Sequence, residues 1–312
     1  MILITGGTGF IGRSLVAGLA ASGREVRCLL RPSRHSPRLP RGVAVQAAVS
    51  RLDDPRGLRA ALADIEAVVH LAGAEWQSQR GDLFQVDVAG TRALVEAAQE
   101  AGVRHLIYLS HLGADRGAAY PIQKAKGIAE EFIRKSGLEH TIVRSAIAFG
   151  REDRFTNAVA VTLKSLPFFF PLPSGARTLL QPIWVEDLAR CLALSLDEPA
   201  LRNQTLSIGG PEPHTFEAVV RAVMERVRVR RLLLPIRAPY LRFFGWWLEG
   251  MLPRSPFSSR WVDYLAVNRT AELVSVERFF GFKPRRMTES LDYLEGRRWG
   301  RELVRYVLAR GA

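Results

Sequence analysis

Cysteine is nearly absent: the 312 residues carry two, Cys28 and Cys191, too isolated for a disulfide framework or a cysteine-held zinc site. The six histidines show no i, i+4 pairing, which removes the commonest helical metal-binding pattern, and no metal site is expected. No apolar run approaches the ~20 residues that a membrane-spanning helix needs; the longest, 166–172 and 241–252, are short and broken. No charged segment followed by an apolar one precedes the first apolar strand, so no secretory leader is expected. Lysine is scarce, five against 39 arginines, and there is no internal repeat or low-complexity tract. These absences lead to the expectation of a cytoplasmic chain in a reducing compartment, with peripheral membrane contact as the one route to a bilayer.

Charge of one sign dominates what remains. A net charge of +13 creates a field that attracts polyanions whatever the fold. The basic residues are nevertheless spread from Arg13 to Arg310, without the aromatic-interleaved basic stripe of single-strand binders, so nucleic acid is not the expected partner. Residues 226–254 stand apart. They interleave Arg228, Arg230, Arg231, Arg237 and Arg242 with Leu232, Leu233, Leu234, Tyr240, Phe243, Phe244, Trp246 and Trp247. That composition fits peripheral docking on a membrane or a protein complex, and equally a pocket roof packed on a sheet.

The hydrophobic pattern alternates short apolar runs with helical periodicity, which reads as an α/β fold: a Rossmann doubly wound parallel sheet with a smaller C-terminal substrate or partner domain. Strands are expected at Ile2–Thr5, Val26–Leu30, Val43–Ala47, Ala67–Leu71, His105–Ser110 and His140–Arg144. Helices are expected at Phe10–Ala21, Pro55–Leu62, Leu83–Ala101 and Tyr120–Ser136. Leu206–Ile208 reads as a short strand of the second domain. The division expected is 1–150 for the dinucleotide-binding domain, with part of 178–200 returning to it, and 151–312 for the smaller domain. Asp53 and Asp54 are placed to cap the helix at Pro55, and Glu186 and Asp187 to cap another and pair with its dipole.

Between the first strand and helix stand Gly6, Gly9 and Gly12. In that context Gly6 allows the tight turn, Gly9 has no Cβ to block a pyrophosphate, and Gly12 lets helix pack on strand, so free helix N–H groups face the phosphates. The second strand ends at Arg31, with Arg34 following. A carboxylate there accepts from the ribose 2′-OH of NAD, whereas arginine accommodates a 2′-phosphate, which favours NADP(H) over NAD(H).

Longer motifs extend this. Thr5-Gly6-Gly7-Thr8-Gly9-Phe10-Ile11-Gly12, His70-Leu71-Ala72-Gly73, Gly90-Thr91, the run from Tyr108 to Asp115, Lys126-Gly127-Ile128-Ala129-Glu130-Glu131, Thr141-Ile142-Val143-Arg144, the run from Phe149 to Phe155 and the run from Gln181 to Ala189 together resemble the short-chain dehydrogenase/reductase superfamily in its extended and atypical branches. The last two look most like the nucleotide-binding accessory subunit of respiratory complex I and its bacterial relatives. The resemblance implies that Thr8, Gly9, Phe10 and Ile11 line the pyrophosphate, that Leu71, Ala72 and Gly73 pass beside the adenosine half, and that Ser145 to Ile147 flank the nicotinamide.

It also implies a tyrosine acid with a lysine four residues later, two positions that share a helix face. Tyr120 and Lys124 have that spacing. Alignment of Lys-Gly-x-Ala-Glu-Glu instead makes Lys126 the ribose-binding lysine, and four residues before it stands Ile122, which has no proton to give. Ser110 is the hydroxyl left after the fifth strand. Asp87 stands where the family has asparagine, Ser50-Arg51 replaces a Gly-Asp pair, and Ser145 replaces a proline. Two functions stay open: a reductase of a small or isoprenoid-like carbonyl substrate, or a structural or assembly subunit that holds NADPH and docks on a respiratory or membrane complex.

Overall fold

A computed structural model describes residues 1–33, 37, 39–75, 82–174, 177–251 and 259–308. The first half alternates β1 (Ile2–Thr5), α1 (Phe10–Ala21), β2 (Val26–Leu30), β3 (Gln46–Val49), α2 (Pro55–Leu62), β4 (Ala67–His70), α3 (Gly90–Glu100), β5 (His105–His111), α4 (Pro121–Lys135) and β6 (Glu139–Ser145). The strands form one parallel seven-stranded sheet, ordered Gln204–Ile208, β6, β5, β4, β1, β2, β3. The order reverses between β1 and β4, the switch point outside which α/β sheets bind ligands at their carboxyl ends. β1, β4 and β5 are buried nearly throughout, as strands covered on both faces must be.

α1 and α6 (Val185–Asp197) cover one face; α2, α3 and α4 cover the other. Cys28 and Cys191 are free and buried in the first of these layers, and burial pushes the Cys28 thiol up to about 11. Beyond the sheet, α5 (Thr156–Ser165), α7 (Phe216–Arg226) and the parallel strand pair Phe169–Pro173 with Leu232–Ile236 enclose a second core around Phe155, Phe170 and Phe216. α8 (Ala238–Met251) and α9 (Ser259–Tyr264) follow. No helix among the described residues is long and apolar enough to cross a membrane.

Four differences from the sequence reading have physical causes. β3 begins at Gln46, not Val43, because its register is set by pairing Arg27 with Gln46. The single helix expected from Leu83 is a π-helical stretch over Phe84–Ala89 followed by α3; π-turns insert an extra residue and collect at functional sites. Gln204–Ile208 belongs to the large sheet, as its edge strand beside β6. Glu186 and Asp187 occupy the first turn of α6 without capping it: Asp187 accepts from the Arg285 N–H at 2.7 Å, and Glu186 pairs with Arg285. Asp54 does cap α2, accepting from the Arg56 and Gly57 N–H groups, while Asp53 pairs with Arg51.

Candidate nucleotide-binding site

The glycine turn leaves no room for side chains. Gly6 has φ +72°, and a Cβ on it would lie 2.8 Å from the Ala72 nitrogen; one on Gly12 would lie 2.2 Å from the Gly6 carbonyl oxygen. These contacts bring α1 and the chain after β4 against the turn. Gly9 is the exposed N-cap of α1 and offers no side-chain cap, so the first-turn amides keep their donor capacity for an anion. Thr8, Phe10 and Ile11 are half-buried around it. Arg31 is exposed just past β2; Arg34 lies outside the described residues.

A hydrogen-bonded chain fixes the segment after β4. The Ala72 N–H donates to Thr5 Oγ1, which contacts His70 Nδ1 at 2.6 Å; His70 Nε2 contacts Thr91 Oγ1 at 2.9 Å, and Thr91 donates to the Asp87 carbonyl. Since the Thr91 hydroxyl proton goes to Asp87, His70 must donate from Nε2 and accept at Nδ1, the neutral tautomer. Burial depresses His70 to about 3, assisted by the Lys126 charge.

Lys126 is the centre of the site. Its side chain is 4 % exposed, with Nζ 2.9 Å from Asp87 and 3.7 Å from Glu75, and 5.2 Å from the centre of the Tyr108 ring. The π-helical stretch carries Asp87 inward, and the Ala74 N–H donates to its other oxygen at 2.9 Å. A Cβ on Gly73 would lie 2.3 Å from Glu75 Oε2, so a side chain there would push that carboxylate aside. Burial alone would raise Glu75, but the Lys126 charge and the His111 contact hold it below the usual carboxylate range. Burial raises Asp87, with Glu75 adding to the effect against Lys126. Lys126 is raised despite burial, by both carboxylates. The cluster therefore keeps a charged ammonium against ionised Glu75, with Asp87 the more easily protonated acid.

The residues singled out for catalysis are not brought together. Lys124 is exposed, while Lys126, two residues on, is buried in the cluster. Tyr120 is the half-buried N-cap of α4, and Ile122 occupies the place one turn before Lys126, packed near Ala74, Leu83 and Ala125. The Ser110 hydroxyl donates to Glu130 at 2.6 Å, on a network with Arg144 and Arg134. The hydroxyl left by elimination in the sequence is thus taken up by Glu130. The Ser145 hydroxyl donates to the Ala146 carbonyl, and Ile147 is buried in the second core.

Glu75 and His111 were missed by sequence reasoning. His111 Nε2 lies 3.4 Å from Glu75 Oε1, and the imidazole meets the Tyr264 ring edge-on at 6.4 Å. The one signal for Glu75 was a carboxylate two residues after Gly73 in an apolar stretch. Glu75 Oε2, the Tyr108 hydroxyl and His111 Nδ1 are buried without hydrogen-bond partners. With the glycine cradle, they give the site the capacity to take the polar groups of a dinucleotide.

Comparison with known proteins agrees with this geometry. A family model described as NAD(P)H-binding matches residues 6–169. The chain is 29 % identical over 263 residues to the NADH dehydrogenase [ubiquinone] 1 alpha subcomplex subunit 9, mitochondrial, of Rattus norvegicus, covering 81 % of this chain and 67 % of that protein. It is 27 % identical to the photosystem II assembly factor Ycf39 of Trieres chinensis, over 78 % of this chain and 77 % of that one. The fold matches the NADPH-dependent quinone oxidoreductase QOR2 of Escherichia coli, complexed with NADPH, with a TM-score of 0.73 at 16 % identity, over 94 % of this chain and 99 % of that one. Solved neighbours of this fold hold NAD as well as NADPH.

Proposed function

The chain belongs to the NAD(P)H-binding family, and from that premise we propose that it holds NADP(H) as a resident ligand and docks on a larger, membrane-associated assembly through the face built by residues 226–251, without turning the nucleotide over. The observation that carries this reading is the state of Lys126: it is locked between Asp87 and Glu75, Ile122 stands one turn before it, and Ser110 is bonded to Glu130. A carbonyl reduction needs a proton donor beside the nicotinamide, and neither residue offers one there. Gly6, Thr8, Gly9, Phe10, Ile11 and Gly12 cradle the pyrophosphate; Leu71, Ala72 and Gly73 flank the adenosine half; Lys126 meets the nicotinamide ribose; Ser145 and Ile147 border the ring. Arg31 supports the 2′-phosphate preference.

The docking half of the reading draws on two relatives, one named as a subunit of a respiratory enzyme and one as an assembly factor. Purified protein should release NADP(H) on denaturation in near-equal amount to the chain, fail to oxidise it, and melt lower after the nucleotide is stripped. Rapid exchange with no thermal shift would sink the resident-ligand reading. Arg31→Ala should weaken NADPH more than NADH; equal losses would remove the 2′-phosphate argument.

A reductase reading has one observation in its favour. His111, with a side chain 14 % exposed, sets its imidazole 3.4 Å from Glu75 in the Lys126 cluster. Under that reading His111→Gln abolishes NADPH oxidation with an apolar carbonyl compound while nucleotide binding persists, and Tyr120→Phe leaves turnover unchanged.

A further inference from the structure

α8 carries its large apolar residues on the outside. At about 100° per residue, Trp246, Phe243, Trp247, Tyr240, Met251 and Phe244 spread over roughly 160° of the helix, and each is 47 to 68 % exposed. No charged residue falls within that arc, and Leu241, Gly245 and Glu249 form the buried side. Arg242 borders one edge of the arc. Arg237 borders the other, since its carbonyl accepts from the Tyr240 and Leu241 N–H groups and so places it one turn ahead.

The strand pair before α8 follows the same rule. Phe170 and Leu233 pack in the second core, so their neighbours Phe169, Leu232 and Leu234 turn outward and are exposed, with Leu232 directly opposite Phe169. Arg230 stands two residues before Leu232, and Arg237 three after Leu234.

Two features select the partner. A helix that packs in a protein groove presents a stripe of about 100°, whereas a planar lipid interface takes in about half of the circumference. Tyrosine and tryptophan rings, apolar in the body and polar at the tip, suit the boundary between acyl chains and water. Charge then chooses the lipid. Arg228, Arg230 and Arg237 are exposed and have no ion-pair partner among the described residues, and no Asp or Glu occurs between Arg226 and Glu249. At 14 residues α8 is too short to cross a bilayer, so it lies in the surface.

We infer that this face lies directly on an anionic phospholipid bilayer, with the aromatic arc of α8 at the headgroup boundary and Arg230 and Arg237 on the phosphates. The inference rests on the docking role proposed for residues 226–251 and names lipid, rather than a protein groove, as what they meet.

The full chain, loaded with its nucleotide, is titrated with vesicles of phosphatidylglycerol brominated near the top of its acyl chains, where bromine quenches a tryptophan that touches it. Saturable quenching is expected, with binding about tenfold or more weaker to brominated phosphatidylcholine. Phe243→Ser with Trp247→Ser should lose binding. Arg230→Gln with Arg237→Gln should weaken it about thirtyfold, equivalent to roughly 1 kcal/mol for each arginine. Leu273→Ser removes an apolar side chain that is just as exposed but lies outside this face, and should bind as the parent does. All three variants should melt with the parent. No saturable quenching, equal affinity for phosphatidylcholine, parent-like binding in either double variant, or loss in Leu273→Ser overturns the lipid inference. If the parent ignores vesicles but binds detergent-solubilised membrane proteins through Phe243 and Trp247, the lipid inference falls and the docking reading stands; if it binds neither, both fall.

Discussion

α1 and α8 are both rich in apolar residues, and the protein treats them in opposite ways. α1 buries Gly12, Leu15, Val16 and Leu19 between the sheet and α6. α8 buries only Leu241, Gly245 and Glu249, one stripe at i, i+4, i+8, and turns Tyr240, Phe243, Phe244, Trp246, Trp247 and Met251 outward. Apolar content alone therefore does not say whether a helix is core or interface; what decides is whether the fold supplies a second layer. Around the sheet it does. On the outer face of α8 it does not among the described residues, and contiguous exposed apolar surface of this kind is what the proposed docking face requires.

The covered half carries the larger energies, and three measurements test that in decreasing order. His70 is neutral in the fold, its pKa depressed from 6.5 to about 3 by burial and the Lys126 charge. A histidine depressed by folding stabilises above its unfolded pKa and loses that contribution as pH falls through the folded value, so the loss runs from pH 6.5 down to about 3. Denaturant titrations across that window should show about 5 kcal/mol of acid destabilisation from this group, and His70→Gln should flatten the slope. An unchanged slope would show that His70 is not held neutral.

Lys126→Met leaves Asp87 and Glu75 without their shared cation and should lower stability by about 3 kcal/mol. Combining it with Asp87→Asn should return part of that loss; strict additivity in the double-mutant cycle would mean that the two groups do not couple. Gly12→Ala puts a Cβ 2.2 Å from the Gly6 carbonyl, contact with backbone that cannot swing aside. It should cost about 2 kcal/mol and weaken nucleotide binding, read by calorimetry. A variant that melts and binds like the parent would show that α1 can move off the turn.

How far each half was legible in the sequence follows the same division. Gly6, Gly9 and Gly12 announce the cradle because a tight turn beside a pyrophosphate tolerates few alternatives, and the α2 boundaries follow from Asp54 and Pro55, local signals that need no partner. The Lys126 cluster was only half legible. Spacing along α4 raises two lysines, and choosing between them requires knowing that Asp87 turns inward on a π-helical stretch and that Glu75 comes off β4 to meet it, both set by tertiary packing. The surroundings of Ser110 were hidden for a similar reason: its partner, Glu130, lies on another element. The aromatic residues of 226–251 were visible as composition, but their outward direction was not, since an aromatic run reads the same as pocket roof and as docking face.

The smallest expected effect on stability is the one that separates the two helices most sharply. Phe243→Ser with Trp247→Ser removes two large rings that are 68 % and 48 % exposed, so little packing is lost and stability should stay within about 0.5 kcal/mol of the parent. Leu15→Ser with Leu19→Ser makes the same kind of exchange in α1, at side chains 1 % and 3 % exposed, and should lower stability by several kcal/mol, about 2 or more per site. Flotation with phosphatidylglycerol vesicles supplies the converse: the α8 pair should lose vesicle binding while melting as the parent does. If the α8 pair instead melts early and still floats, those rings are covered in the folded chain, and the distinction between a helix used as core and one used as contact surface collapses.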